Sequence, residues 1–222
     1  MTLGVVYLAF VYIRWRTNGP RRRAEQPDEA PSADRSPGEL GELCVLRLAL
    51  DASARELVER ASAQTGGLAA RLRATAKLLL EEQSTWRAGG TSDPDIRQLA
   101  ELERALVDVE FSERERLARL AGARDEAEQA PFRSPVVLDG ELVLVAIFVI
   151  ARRSRDRPMV FEPERGDRGA PRVQAVLETL AVLRDHEVTA AEVLVHPGPG
   201  GTLRGAELAS VFEPEDLIQL AP

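Results

Sequence analysis

The longest uninterrupted run of apolar residues lies in the second half of the chain, from Leu142 to Ala151. It is rich in Val and Ile, it follows the turn signal Asp139-Gly140, and a charged stretch comes after it. β-branched residues favour strands, and a helix that crosses a bilayer needs about twenty apolar residues. The run therefore predicts a central strand that is buried on both faces.

Two further strands are predicted from the alternation of apolar and polar positions. In the stretch 43–50, Cys44, Leu46 and Leu48 share one face, and Arg47 on the other face indicates a less buried edge. The other predicted strand covers residues 188–195. If this strand is a neighbour of the central one, the helix between them predicts a parallel, right-handed crossover. Residues 217–220 are expected to add a short edge strand.

Apolar residues at spacings of three and four predict about six helices. They cover residues 53–64, 68–84, 94–109, 112–120, 171–183 and 203–212. Capping-box spacing marks the start of the helices at Ser53 and Ser112, and Pro171 suits a first helical position. Trp86 follows the second helix, and we expect it to pack where that helix meets the body of the domain.

A second apolar run, TLGVVYLAFVYI at residues 2–13, stands near the start of the chain. It lacks the basic start and the small-residue cleavage site of a secretory signal. We predict a membrane-anchor helix over residues 1–16, either as a short span with Trp15 at the interface or as part of a longer segment. The arginines on its C-terminal side predict a single-pass protein whose remaining chain is cytoplasmic.

The arginines that follow this run form a cluster without acids. One interpretation is that they only set the topology of the anchor. The other is that they also contact anionic lipid headgroups. The candidate lipid contacts are Arg14, Arg16, Arg21, Arg22 and Arg23.

Residues 17–41 carry four prolines among Gly, Ser and acidic residues, with little apolar surface to bury. This composition predicts a disordered tether between the anchor and a globular domain at residues 42–222. The predicted fold class of that domain is α+β: a small mixed β-sheet of three to four strands, packed with about six helices, after an N-terminal membrane-anchor helix.

The overall charge and the single cysteine narrow the classes of function. A formal net charge of -7 argues against nucleic acid as a partner, because binding to phosphates needs a basic face. The lone Cys44 excludes an intrachain disulfide, and its apolar surroundings indicate a core residue in place of a catalytic thiol.

The sequence contains few candidates for catalytic or ligand-binding residues. His186 and His196 have no Cys or acid at ligand spacing, so no metal site and no cofactor are predicted. The Gly-rich stretch 198–202 resembles a phosphate cradle but lacks the P-loop lysine. An alternative function is a small-molecule binder or hydrolase that uses the loops 152–170 and 196–205, with His196 as its base.

Four segments together are similar to a known family. They are VLVAIFVIARR at 143–153, VLETLAVLR at 176–184, AAEVLVHP at 190–197 and TLRGAEL at 202–208. They resemble the domain-of-unknown-function family 1517, in which an apolar strand ending in a small residue and Arg is followed by a helix, a strand and a T-L-x-x-x-E-L segment. The chain departs from that pattern at Val195-His196 and at Phe212, where an aromatic with Thr and a Tyr are usual.

The resemblance implies a membrane-associated regulatory role without a known enzymatic activity. Together with the predicted anchor, it leads us to expect a membrane-anchored, non-enzymatic interaction or regulatory domain. The expected partner is a membrane protein, because a tethered domain meets such proteins at a raised effective concentration.

Overall fold

The computed structural model describes residues 11–16, 39–62, 65–122, 138–153, 160–161, 169–197, 201–212 and 216–220. In chain order its strands are β1 (Val11–Arg16), β2 (Leu40–Asp51), β3 (Trp86–Thr91), β4 (Asp95–Gln98), β5 (Glu141–Arg152), β6 (Val188–His196), β7 (Leu203–Arg204) and β8 (Ile218–Gln219). Its α-helices are α1 (Arg55–Ser62), α2 (Leu68–Glu81), α3 (Leu99–Gly122), α4 (Ala170–Val182) and α5 (Gly205–Val211).

The strands form one antiparallel sheet in the order β1-β6-β5-β2-β3-β8. β4 pairs with β2 beyond the end of β3, and β7 pairs with β5 beyond the end of β6. The long strands β2 and β5 lie side by side at the centre, paired from Gly41 opposite Arg152 to Asp51 opposite Leu142. The predicted central strand is therefore confirmed as β5.

Helices cover both faces of the sheet, which explains why β5 is apolar at nearly every position. Alternate residues of a strand point to opposite faces. Val143, Val145 and Ile147 face the layer of α1, α2 and α4, whereas Leu144 and Phe148 face the layer of α3 and α5. Two separate hydrophobic cores result, one on each side of the sheet.

The predicted fold class was wrong in the size and kind of the sheet. In the described part of the chain the sheet has eight strands, all of them antiparallel, with five α-helices, in place of three to four mixed strands and about six helices. The short strands β3, β4 and β7 were missed because they are two to six residues long and lack a clear alternation. The short edge strand expected at residues 217–220 is confirmed as β8, which pairs with β3. In β3 the pair Gly89-Gly90 is by itself typical of a turn.

The predicted parallel crossover between β5 and β6 was also wrong. β5 ends at Arg152 and β6 begins at Val188, which pairs with Ala151, so the connection leaves and re-enters the sheet at the same end. The helix inside that connection, α4, packs against α2 and returns the chain to its starting end. The two strands are therefore antiparallel neighbours joined by a very long hairpin connection.

Two helix predictions need correction for local reasons. Residues 94–109 and 112–120 were predicted as two helices, but α3 runs without interruption from Leu99 to Gly122. The Ser112 hydroxyl donates to the carbonyl of Asp108 at 2.9 Å, one turn back, and so does not cap a new helix. At the N-terminus, residues 11–16 form strand β1 in place of the end of a helix, since Val11, Ile13 and Trp15 alternate with polar positions.

Candidate functional site

The two loops of the predicted binder or hydrolase site leave the sheet at opposite ends. The 152–170 connection leaves β5 at Arg152, whereas His196 ends β6 opposite Leu144. Leu144 and Arg152 are eight positions apart along β5, a distance of about 25 Å. The structure therefore does not bring the described ends of the two loops together.

At the end of the sheet where the 152–170 connection starts, a buried carboxylate holds part of that connection in place. Glu42, on β2, is fully buried and accepts hydrogen bonds from the backbone N–H groups of Val160 and Phe161, each at 2.9 Å to Oε2. Arg153 lies 3.4 Å from Oε1. Val160 and Phe161 are themselves buried in the core shared with α2 and α4. Glu42 therefore acts as an anchor for this dipeptide.

Cys44 lies two residues further along the same face of β2. Burial raises the pKa of its thiol to about 12, although the positive charge of Arg172 acts in the opposite direction. A thiol with such a pKa is protonated at neutral pH and is a poor nucleophile. The prediction that Cys44 is a core residue is confirmed.

At the other end of the sheet, His196 is buried beside the short helix α5. Burial lowers its pKa to about 4, against the opposing effect of the Glu207 carboxylate. Glu207 accepts a hydrogen bond from the backbone N–H of Arg204 at 2.8 Å and so caps the first turn of α5. His196 is thus a neutral, enclosed side chain, and its placement does not favour the role of an accessible base.

The charged residue predicted at a less buried edge, Arg47, is in fact buried under the α3 layer. Its guanidinium donates two hydrogen bonds to Glu113 of α3, at 2.9 and 2.8 Å, and it lies 3.4 Å from Asp216. Burial alone would lower the pKa of this guanidinium, but the hydrogen bond and charge of Glu113, with the charge of Asp216, raise it overall. This pair fastens α3 to the centre of the sheet.

The same contact network holds the C-terminal segment. Arg116 donates to Asp216 at 2.9 Å, and both Arg47 and Arg116 lie 5.9 Å from the ring centre of Phe212. A Cβ atom at Gly90 would collide with the carbonyl of Asp216, so only glycine at this position lets the segment lie against β3. No local pattern indicates this network, because its members are distant in the chain.

An apolar surface remains on the outer side of α3. We define the α3 surface as Ala100, Val107, Phe111 and Ala118, which are all exposed and follow each other at helical spacings of seven, four and seven. The side chain of Phe111 is 61% exposed and that of Val107 is 45% exposed. Sequence periodicity alone did not single them out, because Val109 and Leu106 lie between them on the buried side.

Two of the five candidate lipid-contact arginines lie on the edge strand β1, and the other three lie outside the described residues. The backbone register of β1 places Arg14 opposite Glu192 and Arg16 opposite Ala190. Arg21, Arg22 and Arg23 lie outside the described residues. Their contact with anionic lipid stays a prediction.

The described residues contain no cluster suited to a metal ion and no helix suited to crossing a bilayer. No group of three or more His, Cys, Asp or Glu side chains in these residues is arranged to hold a metal ion. None of the helices placed by the structure combines the length and the apolar character that a bilayer crossing needs.

The fold and the site define a three-layer α/β/α domain built on an antiparallel sheet, with buried acids in structural contacts and an apolar surface on α3. The chain matches the family model described as Protein of unknown function (DUF1517) over residues 41–213, and it belongs to that family. The suspected family resemblance is therefore confirmed. No curated protein and no solved structure matches the chain.

Proposed function

We propose that this protein is a membrane-anchored, non-enzymatic interaction domain that binds a protein partner through the α3 surface. The observation that carries the proposal is the exposure of Phe111 together with Val107 one turn away. An aromatic residue beside an aliphatic one on a helix is a common anchor pair in helix-mediated recognition. The rigid attachment of α3 to the sheet through Arg47 and Glu113 would hold this pair in a fixed position.

The contacts of the buried carboxylates support structural roles for them and do not support catalytic ones. Glu42 anchors Val160 and Phe161, Glu113 fastens α3, and Glu207 caps α5. Each of these carboxylates is enclosed and already binds protein groups, so none of them presents free oxygen atoms to a substrate. A catalytic acid or base must reach the proton that it transfers.

The N-terminal segment supplies the other part of the proposal. Residues 1–16 would insert into a membrane, with the arginines after them on the cytoplasmic side, and residues 17–41 would tether the domain. The partner would then be a membrane protein, since a tether raises the effective concentration of the domain close to the bilayer. No cofactor takes part in this function.

A photo-crosslinking amino acid at position 111 tests the proposal in the full-length protein in its native membrane. The matched control carries the same amino acid at position 182, because Val182 on α4 is 63% exposed and lies on the opposite layer of the sheet. We expect one stoichiometric crosslinked product at position 111, lost on competition with unlabelled protein, and none at position 182. Equal products at both positions, or no product at either, would refute the α3 surface as the binding site.

A further inference from the structure

Strand β6 is a core strand whose outer edge is completed by the N-terminal strand β1. Val193, Leu194 and Val195 are all buried, and β6 pairs with β5 on one side and with β1 on the other. The register with β1 runs from Val11 opposite Val195 to Arg16 opposite Ala190. If β1 moved away, β6 would become an exposed edge with unpaired backbone groups, which is the kind of edge that accepts another strand.

In this register an acidic residue of β6 lies opposite a basic residue of β1. Glu192 lies in the middle of β6 and is 1% exposed, and its direct neighbours in register are Phe148 on β5 and Arg14 on β1. Opposite charges at facing positions stabilise an antiparallel pair. Of the two facing residues only Arg14 carries a charge. The β6 edge therefore favours a strand with a basic residue at this position.

The strand that fills this edge comes from the segment that is also proposed to enter the membrane. Residues 11–16 cannot pair with β6 and lie in a lipid bilayer at the same time, since each position engages the same backbone and the same arginines. The 22 residues from 17 to 38 separate Arg16 from Glu39 and span up to about 75 Å when fully extended. The domain therefore does not have to unfold when β1 leaves it.

We propose that residues 11–16 have two mutually exclusive positions, the β6 edge and an anionic lipid surface, so that membrane binding uncovers the β6 edge. This inference rests on the proposed membrane anchor and names how that anchor is regulated. Coupling between two such equilibria is reciprocal: any change that holds β1 on β6 weakens lipid binding by the same factor. Arg14 connects the two positions, because its register position in the sheet is opposite Glu192 and at the membrane it would lie close to lipid phosphates.

Flotation of the full-length protein with vesicles tests the competition directly. One set of vesicles contains phosphatidylcholine with phosphatidylglycerol, and the other contains phosphatidylcholine alone. We expect binding to the anionic vesicles and, on binding, faster hydrogen exchange in residues 188–196. Residues 142–151 of β5 serve as the internal control, since they lie inside the sheet in both positions and should stay protected.

A disulfide that holds β1 on β6 provides the decisive variant. Ile13→Cys with Val193→Cys, or Tyr12→Cys with Leu194→Cys, puts cysteines at directly facing positions on either side of the sheet. Facing residues of two antiparallel strands alternate between hydrogen-bonded and non-hydrogen-bonded pairs, and the Cβ atoms are closer in the second kind. Both double variants are made so that one of them falls on a non-hydrogen-bonded pair. Ile13→Cys with Leu194→Cys is the control, since these positions belong to different faces. The native Cys44 is buried and does not compete.

The oxidised lock should lower binding to anionic vesicles by at least about tenfold, and reduction should restore it. Binding that is unchanged by the lock, or unchanged exchange of residues 188–196 on membrane binding, would overturn the competition while leaving the anchor in place. A wild-type protein that binds neither kind of vesicle would overturn the anchor as well. Crosslinking at position 111 is independent of all these outcomes.

Discussion

Separating the buried ion pair between β2 and α3 is expected to destabilise the domain strongly. The side chains of Arg47 and Glu113 are 9% and 1% exposed, and two hydrogen bonds of 2.9 and 2.8 Å join them. Removing one partner of a buried pair leaves an uncompensated charge and costs about 3–5 kcal/mol. Arg47→Met strands the Glu113 carboxylate in this way, so the full cost is expected.

The other single variant, Glu113→Leu, should lower the free energy of unfolding by less than Arg47→Met does. After Glu113→Leu, Arg47 keeps Asp216 at 3.4 Å, and the Asp216 side chain is partly exposed to water. We therefore expect a loss of about 2–3 kcal/mol, below the range for a charge without any partner. The double variant Arg47→Met with Glu113→Leu replaces both charges with apolar groups of similar size, and its stability should lie within about 1 kcal/mol of wild type.

Urea unfolding, followed by far-UV circular dichroism and by tryptophan fluorescence, measures these differences. The slope of the free energy with urea should stay constant across the four proteins, since the surface exposed on unfolding hardly changes. A single variant that loses less than about 1 kcal/mol would show that the pair is not desolvated as the structure indicates. A double variant as unstable as Arg47→Met would refute the claim that the charge, and not the packing, causes the loss.

Three further predictions follow from other contacts. Glu42→Gln should lower the free energy of unfolding by about 1–3 kcal/mol and speed hydrogen exchange at Val160 and Phe161, because the charged acceptor of both N–H groups is lost; the exposed Glu39→Gln is the control and should change stability by less than about 0.5 kcal/mol. His196 has a pKa lowered to about 4 by burial, so the unfolded chain binds the extra proton between about pH 6.5 and pH 4, and stability should fall as the pH decreases through this window; His196→Phe should flatten that part of a urea-midpoint profile, and an unchanged profile would contradict the burial of a neutral imidazole. Gly90→Ala should release residues 216–220 and lower stability by about 1–3 kcal/mol, since the new Cβ collides with the Asp216 carbonyl; Gly67→Ser, at an open helix N-cap, is the control, and equal hydrogen exchange of residues 216–220 in both variants would refute the collision.

Elements with a strong internal pattern were predictable from the sequence. β5 was found because ten consecutive apolar residues are typical of a strand buried on both faces, and α2 was found from its leucine spacing. Trp86 packs against the end of α2, as expected, where its indole N–H donates to the carbonyl of Leu79 at 3.1 Å. In these cases local pattern and tertiary environment agree.

Features that depend on distant partners were not predictable. β3 and β4 owe their existence to pairing with β2, and the pair Gly89-Gly90 is tolerated because it gives room to the C-terminal segment. Arg47 was assigned to a less buried edge, since a charged residue is usually solvated, and nothing in the local pattern marked Glu42 as buried. Their burial depends on Val160, Phe161 and Glu113, which lie more than sixty residues away. A pattern in one segment carries no information about such partners.

The ion pair and the α3 surface are connected, and this connection yields a last test of the proposed function. Phe111 lies one half-turn from Glu113 on the same helix, so the pair that fastens α3 also fixes the direction of the Phe111 side chain. A preorganised surface loses less entropy on binding than a mobile one. Arg47→Met should therefore weaken crosslinking at position 111 although it leaves the α3 surface unchanged, whereas Arg47→Met with Glu113→Leu should restore it. If crosslinking at position 111 is the same in wild type, in Arg47→Met and in the double variant, the argument from preorganisation is refuted. The partner would then contact Phe111 without needing a rigid helix.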